Sequence, residues 1–307
     1  MSSAPTTSAV LVRLVLDQCG VGGCHDLSGW TVRPIGQGEQ ATVWLAEPGQ
    51  TRAALPPADG VIVKLYRGRT SGDRRAFLSE KEGLEALAAA LPDHAACGWE
   101  LRAPQLHGVN AEHLALVMSH LSGQPLVSWL VTARPDLATL EVLAQTLLVG
   151  LRGVWGSGGL YGDINLKNVL CDPTARTLGL IDPGLPHPWF RCQRVSQEWY
   201  PASRDLGYLL YSVAVSVKNH MREPRARRRQ LAFVSLVLQQ YLNALPTAAC
   251  VKSALREIDA CAQVHIDNIA CSWSVTGVWR GLVKRLTRRS LDGLLAVDLP
   301  TAVEVAS

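Results

Sequence analysis

Apolar and polar positions along the chain fall into two regimes. In the first third, short apolar runs bounded by Gly, Pro and polar residues read as strands, at about 30–36, 41–47, 61–66 and 114–118. Beyond residue 122, longer segments carry apolar residues at helical spacing, at 137–155, 203–219, 229–244 and 248–263, with a basic helix at about 276–290. One helix lies among the strands: 72–91 is rich in Ala, Glu and Leu. The run Ala9–Asp17 reads as an extra strand, preceded by a disordered stretch over 1–8. Segment 203–219 is apolar with few charges, which predicts burial on all sides. Punctuation is clear in two places. Ser122-Gly-Gln-Pro125 breaks the chain after the last strand of the first region, and Gly156-Ser-Gly-Gly159 stops the helix before it. No internal repeat is visible.

The pattern thus predicts an α+β protein with a small β-rich part followed by a larger helical part. Its organisation is an extension over 1–29, a lobe over 30–121 and a helical lobe over 122–307. Length and composition agree, since 307 residues with 48% apolar and 18% charged can bury a large core. The formal charge of +4 is too small to indicate nucleic-acid binding. No apolar run reaches about 18 residues, so no membrane span is expected. The N-terminus lacks a basic region before an apolar run, so no signal peptide is expected. The eight Cys form no C-x-x-C pair, and Cys19, Cys24 and His25 lack the second half of a zinc site. Free buried thiols in a reducing cytoplasm are the expectation.

The chemistry concentrates in residues 160–184, which read Leu-Tyr-Gly-Asp-Ile-Asn-Leu-Lys-Asn-Val-Leu, ten further residues, and Ile-Asp-Pro-Gly. Asp163 precedes the amide Asn168 by five positions, and Asp182 follows at the end of the next strand. Earlier landmarks stand in a fixed order. They are Ile35-Gly36-Gln37-Gly38-Glu39-Gln40-Ala41-Thr42-Val43, then Val61-Ile62-Val63-Lys64, then Glu80 within Phe77–Leu87, then Leu114–Leu121. Arg204-Asp205-Leu206-Gly207 comes after the main motif.

Together these residues resemble the protein-kinase-like superfamily, over roughly residues 30–245. The catalytic loop is of the H-G-D type found in atypical bacterial Ser/Thr kinases, RIO-like kinases, and aminoglycoside and lipopolysaccharide kinases. The resemblance implies a bilobal kinase-like fold with ATP and Mg²⁺ as cofactors. It assigns Gly36, Gly38 and Val43 to the glycine loop over the nucleotide, and Lys64 to its phosphates with Glu80 as brace. Met118 and His120 fall in the strand and hinge against adenine. Asp163 orients or deprotonates the acceptor hydroxyl, and Asn168 and Asp182 hold the metal. Lys167 either neutralises the transferring phosphate or is a solvated lysine. Glu82 and Glu85 compete with Glu80, but Leu84 and Leu87 follow Glu80 at the family's spacing.

Several positions depart from the family pattern. Tyr161 stands for the usual histidine, a supporting residue, and Gly162 for the arginine that pairs with an activation-loop phosphate. Pro183 stands for phenylalanine and should restrict the metal-binding turn. Ala41 stands for the third glycine. The stretch from Asp182 to Asp205 is short and holds Trp199-Tyr200-Pro201-Ala202-Ser203 where Ala-Pro-Glu is usual. Asp205 is expected to hold the catalytic-loop backbone. Activity independent of phosphorylation in 184–204 follows from Gly162 and Pro183.

The acceptor is the thinnest inference. The short segment suggests a small molecule, while the absence of an acid-rich insertion and the five arginines of Arg222–Arg229 suggest an acidic protein surface. That arginine stretch is otherwise a solvated loop. A protein Ser/Thr acceptor is the expectation. A small-molecule or lipid-sugar kinase and a nucleotide-binding pseudokinase are the alternatives.

Overall fold

In the computed structural model, residues 4–21, 30–38, 40–48, 60–91, 98–184, 201–219 and 224–272 are described. The elements run α1 (Ala4–Gln18), β1 (Trp30–Gln37), β2 (Ala41–Pro48), β3 (Val61–Tyr66), α2 (Ser71–Ala90), β4 (Glu100–Arg102), β5 (Leu106–Asn110), β6 (Ala115–Ser119), β7 (Gln124–Pro125), α3 (Leu126–Thr132), α4 (Leu137–Gly156), β8 (Val169–Asp172), β9 (Thr177–Leu180), α5 (Pro201–Asn219), α6 (Pro224–Asn243) and α7 (Ala248–Ser272). The protein is mixed α+β. It divides into one unit comprising 1–88 and 103–121, and a second comprising 89–102 and 122–307.

The first unit is built on an antiparallel five-stranded sheet in the order β1-β2-β3-β6-β5. Side chains alternate across a strand, and β3 and β6 bury both faces. Val61, Val63, Leu65, Ala115 and Val117 join a cluster with Val12, Val15 and Leu16 of α1. Leu116, Met118 and Tyr66 join Phe77 and Leu84 of α2 on the other face. The sheet is therefore covered by a helix on each side.

The α1 helix corrects the expectation of a strand over Ala9–Asp17 and, from Ala4 onward, that of disorder over 1–8, whose first three residues lie outside the described ones. The nearly continuous apolar run hides a helical stripe. Val12, Val15 and Leu16 are buried, while Val10 and Leu14 are exposed. α2 starts at a reciprocal cap. Thr70 Oγ1 accepts from the Asp73 N–H at 3.2 Å, and Asp73 Oδ2 accepts from the Thr70 N–H at 3.0 Å.

The second unit is helical apart from a small sheet, β4-β9-β8-β7, in which β4 runs parallel to β9. Residues 89–102 thus belong to the second unit by strand pairing, although the chain order places them before β6. α5 packs closely on α7 at Gly207, where a Cβ would lie 2.5 Å from Cys261 Cβ and 2.8 Å from the Ile258 carbonyl oxygen. α4 is long and apolar enough to cross a membrane by length and composition, although Glu141 and Arg152 interrupt its apolar run. Nine of its residues, from Leu140 to Val154, are nevertheless buried in the protein.

α6 begins at Pro224, so most of the stretch read as an arginine loop is helix. Arg229 donates to the carbonyl oxygens of Leu130 (3.3 Å) and Val131 (3.1 Å) at the end of α3. That engagement gives it a capping task within the fold. Arg222 and the side chains of Arg225 and Arg227 lie outside the described residues, as do Cys24, His25, the segment 185–200 and the proposed basic helix at 276–290. Cys19, Cys171, Cys250 and Cys261 are free thiols, of which Cys171 and Cys261 are buried.

Candidate functional site

Within the first unit, strand parity puts Lys64 on the face that α2 covers. Its neighbours across the sheet are Val43 on β2 and Leu116 on β6. Glu80 lies on the buried side of α2, and Lys64 Nζ meets Glu80 Oε2 at 2.5 Å with both side chains largely buried. The hydroxyl of Tyr66 also donates to Glu80 Oε2. Glu85, by contrast, pairs with Lys81 at the surface. Glu82 is exposed as well, so burial separates Glu80 from both competitors in a way that spacing alone could not.

The β1–β2 hairpin carries Gly36 opposite Val43, with the strand register shifted between Pro34 and Gly36. The Gly38 N–H donates to the Ala41 carbonyl at 2.8 Å, and Arg67 donates to the Gly38 carbonyl at 3.0 Å. Neither glycine needs to be glycine for the fold. A Cβ on Gly36 would sit 3.8 Å from Val43, and one on Gly38 would sit 3.6 Å from the Ala41 oxygen. Met118 is buried on β6, and the His120 N–H approaches the Gly60 carbonyl at 3.4 Å.

Within the second unit the residues of 160–184 converge. Gly158, in the left-handed region at φ +77°, turns the chain after α4. Asp205 of α5 then holds the incoming loop. Its carboxylate accepts from the Tyr161 and Gly162 N–H groups at 2.9 Å each and from the Trp155 indole at 2.8 Å. The carboxylate is buried, and burial pushes its carboxyl above the usual range despite the three donors. Tyr161 is fully buried, and its hydroxyl donates to the Ile181 carbonyl. It therefore ties the loop to the turn at Asp182, as a supporting residue would. Gly162 has φ +89°, a conformation that strains any side chain.

Asn168 Nδ2 donates to Asp163 Oδ2 at 3.1 Å and to the Asp163 carbonyl at 3.0 Å. Asn165 Nδ2 donates to Asp163 Oδ1 at 3.2 Å, while its own Oδ1 accepts from the Lys167 and Asn168 N–H groups. The Tyr208 hydroxyl, on α5, donates to the same carboxylate. Burial raises the Asp163 carboxyl above its ordinary value, the nearby charge of Asp182 adds to the rise, and the donors oppose it. Asp182 itself sits at φ +54°, uncommon for a non-glycine residue. Lys167 is exposed.

Asn165 and Tyr208 were not singled out from the sequence. Asn165 lies two residues after Asp163 in the same loop, and Tyr208 lies one helical turn beyond Asp205. Behind Tyr208, the His265 ring of α7 stacks edge-on at 5.0 Å, and burial lowers its pKa to about 4. It is therefore neutral at physiological pH.

Among the described residues, no three His, Cys, Asp or Glu side chains gather into a metal-binding group. Mg²⁺ on a nucleotide does not require one, because it keeps waters and phosphate oxygens and takes one or two protein oxygens. Asn168 donates through Nδ2 to Asp163, which leaves its Oδ1 for such a cation. Asp182 adds a carboxylate near Asp163. The donor set fits. No protein-family profile matches the chain, and no curated protein matches it.

Proposed function

We propose that this protein is a kinase-like phosphotransferase that moves the γ-phosphate of ATP to a hydroxyl. The observation that carries the reading is the arrangement around Asp163. The loop at 161–168, pinned to the buried Asp205, presents an oriented carboxylate and an amide oxygen, and the Asp182 carboxylate beyond β9 lies near them. That is the oxygen set this reaction uses, and it is expensive to assemble without a use for it. The buried Lys64–Glu80 pair supports the same reading independently, because it fixes one ammonium on the face of a strand next to a glycine hairpin. A bilobal kinase-like architecture is part of the proposal.

In this reading Asp163 accepts the proton of the acceptor hydroxyl as its oxygen bonds to the γ-phosphorus. The bond to the bridging oxygen breaks, and ADP leaves with that electron pair. Asn165, Asn168 and Tyr208 keep the carboxylate aimed. Lys64 is the cation for the phosphates, with Glu80 limiting its rotamers. Bound Mg²⁺ would neutralise charge on the phosphates, and Asn168 and Asp182 are the residues to hold it. Retention of every one of these groups disfavours a pseudokinase.

The test is calorimetry of ATP with and without Mg²⁺, paired with ADP formation by the wild type and Asp163→Asn. Expected are metal-dependent binding, retained binding in the variant and loss of its turnover. Metal-independent affinity, or wild-type turnover in Asp163→Asn, would remove the reading.

A further inference from the structure

On β3, Lys64 and Tyr66 stand two residues apart, so strand alternation puts both on the face that α2 covers. On α2, Phe77 and Glu80 are three apart and share the buried side of the helix. The two pairs interlock. The Tyr66 ring meets the Phe77 ring edge-on at 5.6 Å, and its hydroxyl reaches Glu80 Oε2, the same oxygen that takes the Lys64 ammonium at 2.5 Å. That ammonium also lies 5.6 Å from the centre of the Tyr66 ring, within cation–π range. We infer that Tyr66 is a positioning residue for the phosphate-binding lysine: its hydroxyl holds the Glu80 carboxylate so that Lys64 can lean from it towards the phosphates of a nucleotide. The inference rests on the phosphotransferase reading above and adds a residue that reading does not use.

The physical reason is competition for one ammonium. Lys64 and Glu80 are largely buried, and a carboxylate out of water needs its donors. A nucleotide phosphate draws the same ammonium. As Lys64 turns towards it, Glu80 Oε2 gives up part of a charge-assisted bond. The phenol is neutral, so the phosphate does not draw it away, and its hydrogen bond to the carboxylate strengthens as the ammonium recedes. Without that hydroxyl the carboxylate holds Lys64 back more strongly, and the phosphates lose part of their cation.

The surroundings of the phenol keep it in place. The Tyr66 N–H donates to the Leu114 carbonyl at 3.0 Å, and its partner across the sheet is Ala41, at the start of β2 after the glycine hairpin. Ala41, Tyr66, Phe77 and Leu84 pack in one buried cluster with Leu116 and Met118. Tyr66 thus ties hairpin, strand and helix at one point, and the packing of its ring fixes the direction of its hydroxyl.

The experiment measures the affinity of the full chain for Mg²⁺-ATP by calorimetry and for adenosine by ligand-observed NMR, in the wild type, Tyr66→Phe and Leu87→Val. Phenylalanine keeps the buried ring and removes the hydroxyl. Leu87 is buried further along α2, so Leu87→Val loosens the helix without a change at Glu80. In Tyr66→Phe the Kd for Mg²⁺-ATP should rise about fivefold or more, while that for adenosine, which has no phosphate for Lys64, stays at the wild-type value. Leu87→Val should lower the melting temperature and leave the ratio of the two affinities as in the wild type. If Tyr66→Phe weakens both ligands alike, or neither, or if Leu87→Val changes the ratio as much, Tyr66 is a packing residue; the assignment then falls while the phosphotransferase reading stands. If the wild type does not bind Mg²⁺-ATP, the phosphotransferase reading falls and the assignment falls with it.

Discussion

Replacing Tyr208 with Phe removes one donor from the Asp163 carboxylate and almost nothing else, because the ring stays buried against His265. A hydrogen bond to a charged group contributes about 1.5–3 kcal/mol, and one to a neutral group about 0.5–1.5 kcal/mol. The variant should therefore lose about 2 kcal/mol when Asp163 is ionised and about 1 kcal/mol when it is protonated. Because the ionised form loses more than the protonated form, the Asp163 pKa rises further in the variant. The sign follows from the wild-type shift. Burial already raises the folded-state pKa, so the contribution of Asp163 to stability is fully present below the ordinary carboxylate value of about 3.9 and is lost as pH rises through the folded value. Raising that folded value further makes the loss larger. The deficit of Tyr208→Phe should thus grow with pH across the window between the wild-type folded value and the variant's higher one. Urea denaturation near pH 4 and pH 7.5 measures it, and ¹³C titration of the Asp carboxyls, assigned with Asp163→Asn, reads the shift directly. If the reaction is assayed, its acid limb should move to higher pH while the alkaline plateau keeps its height. Equal destabilisation at both pH values with an unmoved Asp163 titration would refute the hydrogen bond and the argument built on it.

Other changes separate fold from function. Glu80→Gln leaves the buried Lys64 ammonium without its counter-ion and should cost about 3–5 kcal/mol in urea denaturation, whereas Glu85→Gln at the surface should cost under about 1 kcal/mol. Equal losses would mean that the Lys64–Glu80 pair is solvated. Gly38→Ala meets only ordinary contact at 3.6 Å, so its melting temperature should match the wild type while Mg²⁺-ATP affinity falls. Unchanged affinity would place the phosphates away from that hairpin. Gly207→Ala forces a methyl group onto Cys261 and the Ile258 carbonyl and should cost about 1–3 kcal/mol by denaturation. A neutral result would mean that α5 and α7 separate easily there.

How much was legible in the sequence depended on whether the signal was local. The Asp163–Asn168–Asp182 spacing was readable because a short loop and one strand pair fix those positions along the chain. β3 and α2 were readable from pattern, and Asp205 as a holder of the loop from what the resemblance of Arg204–Gly207 implies. What stayed hidden came from long-range packing. Ala9–Asp17 reads as a strand because its apolar run is almost unbroken; only the sheet face it covers shows that Val12, Val15 and Leu16 form a single helical stripe. The arginine stretch reads as a solvated loop until Arg229 is seen to serve the end of a helix about a hundred residues earlier. Asn165 and Tyr208 are ordinary letters in the sequence. They matter because α5 folds back onto the loop, bringing a phenol to a carboxylate 45 residues away in the chain. Local spacing singled out Asp163, Asn168 and Asp182, but only the tertiary structure decided how they are aimed and which charges are buried, because those properties depend on segments that meet only after folding.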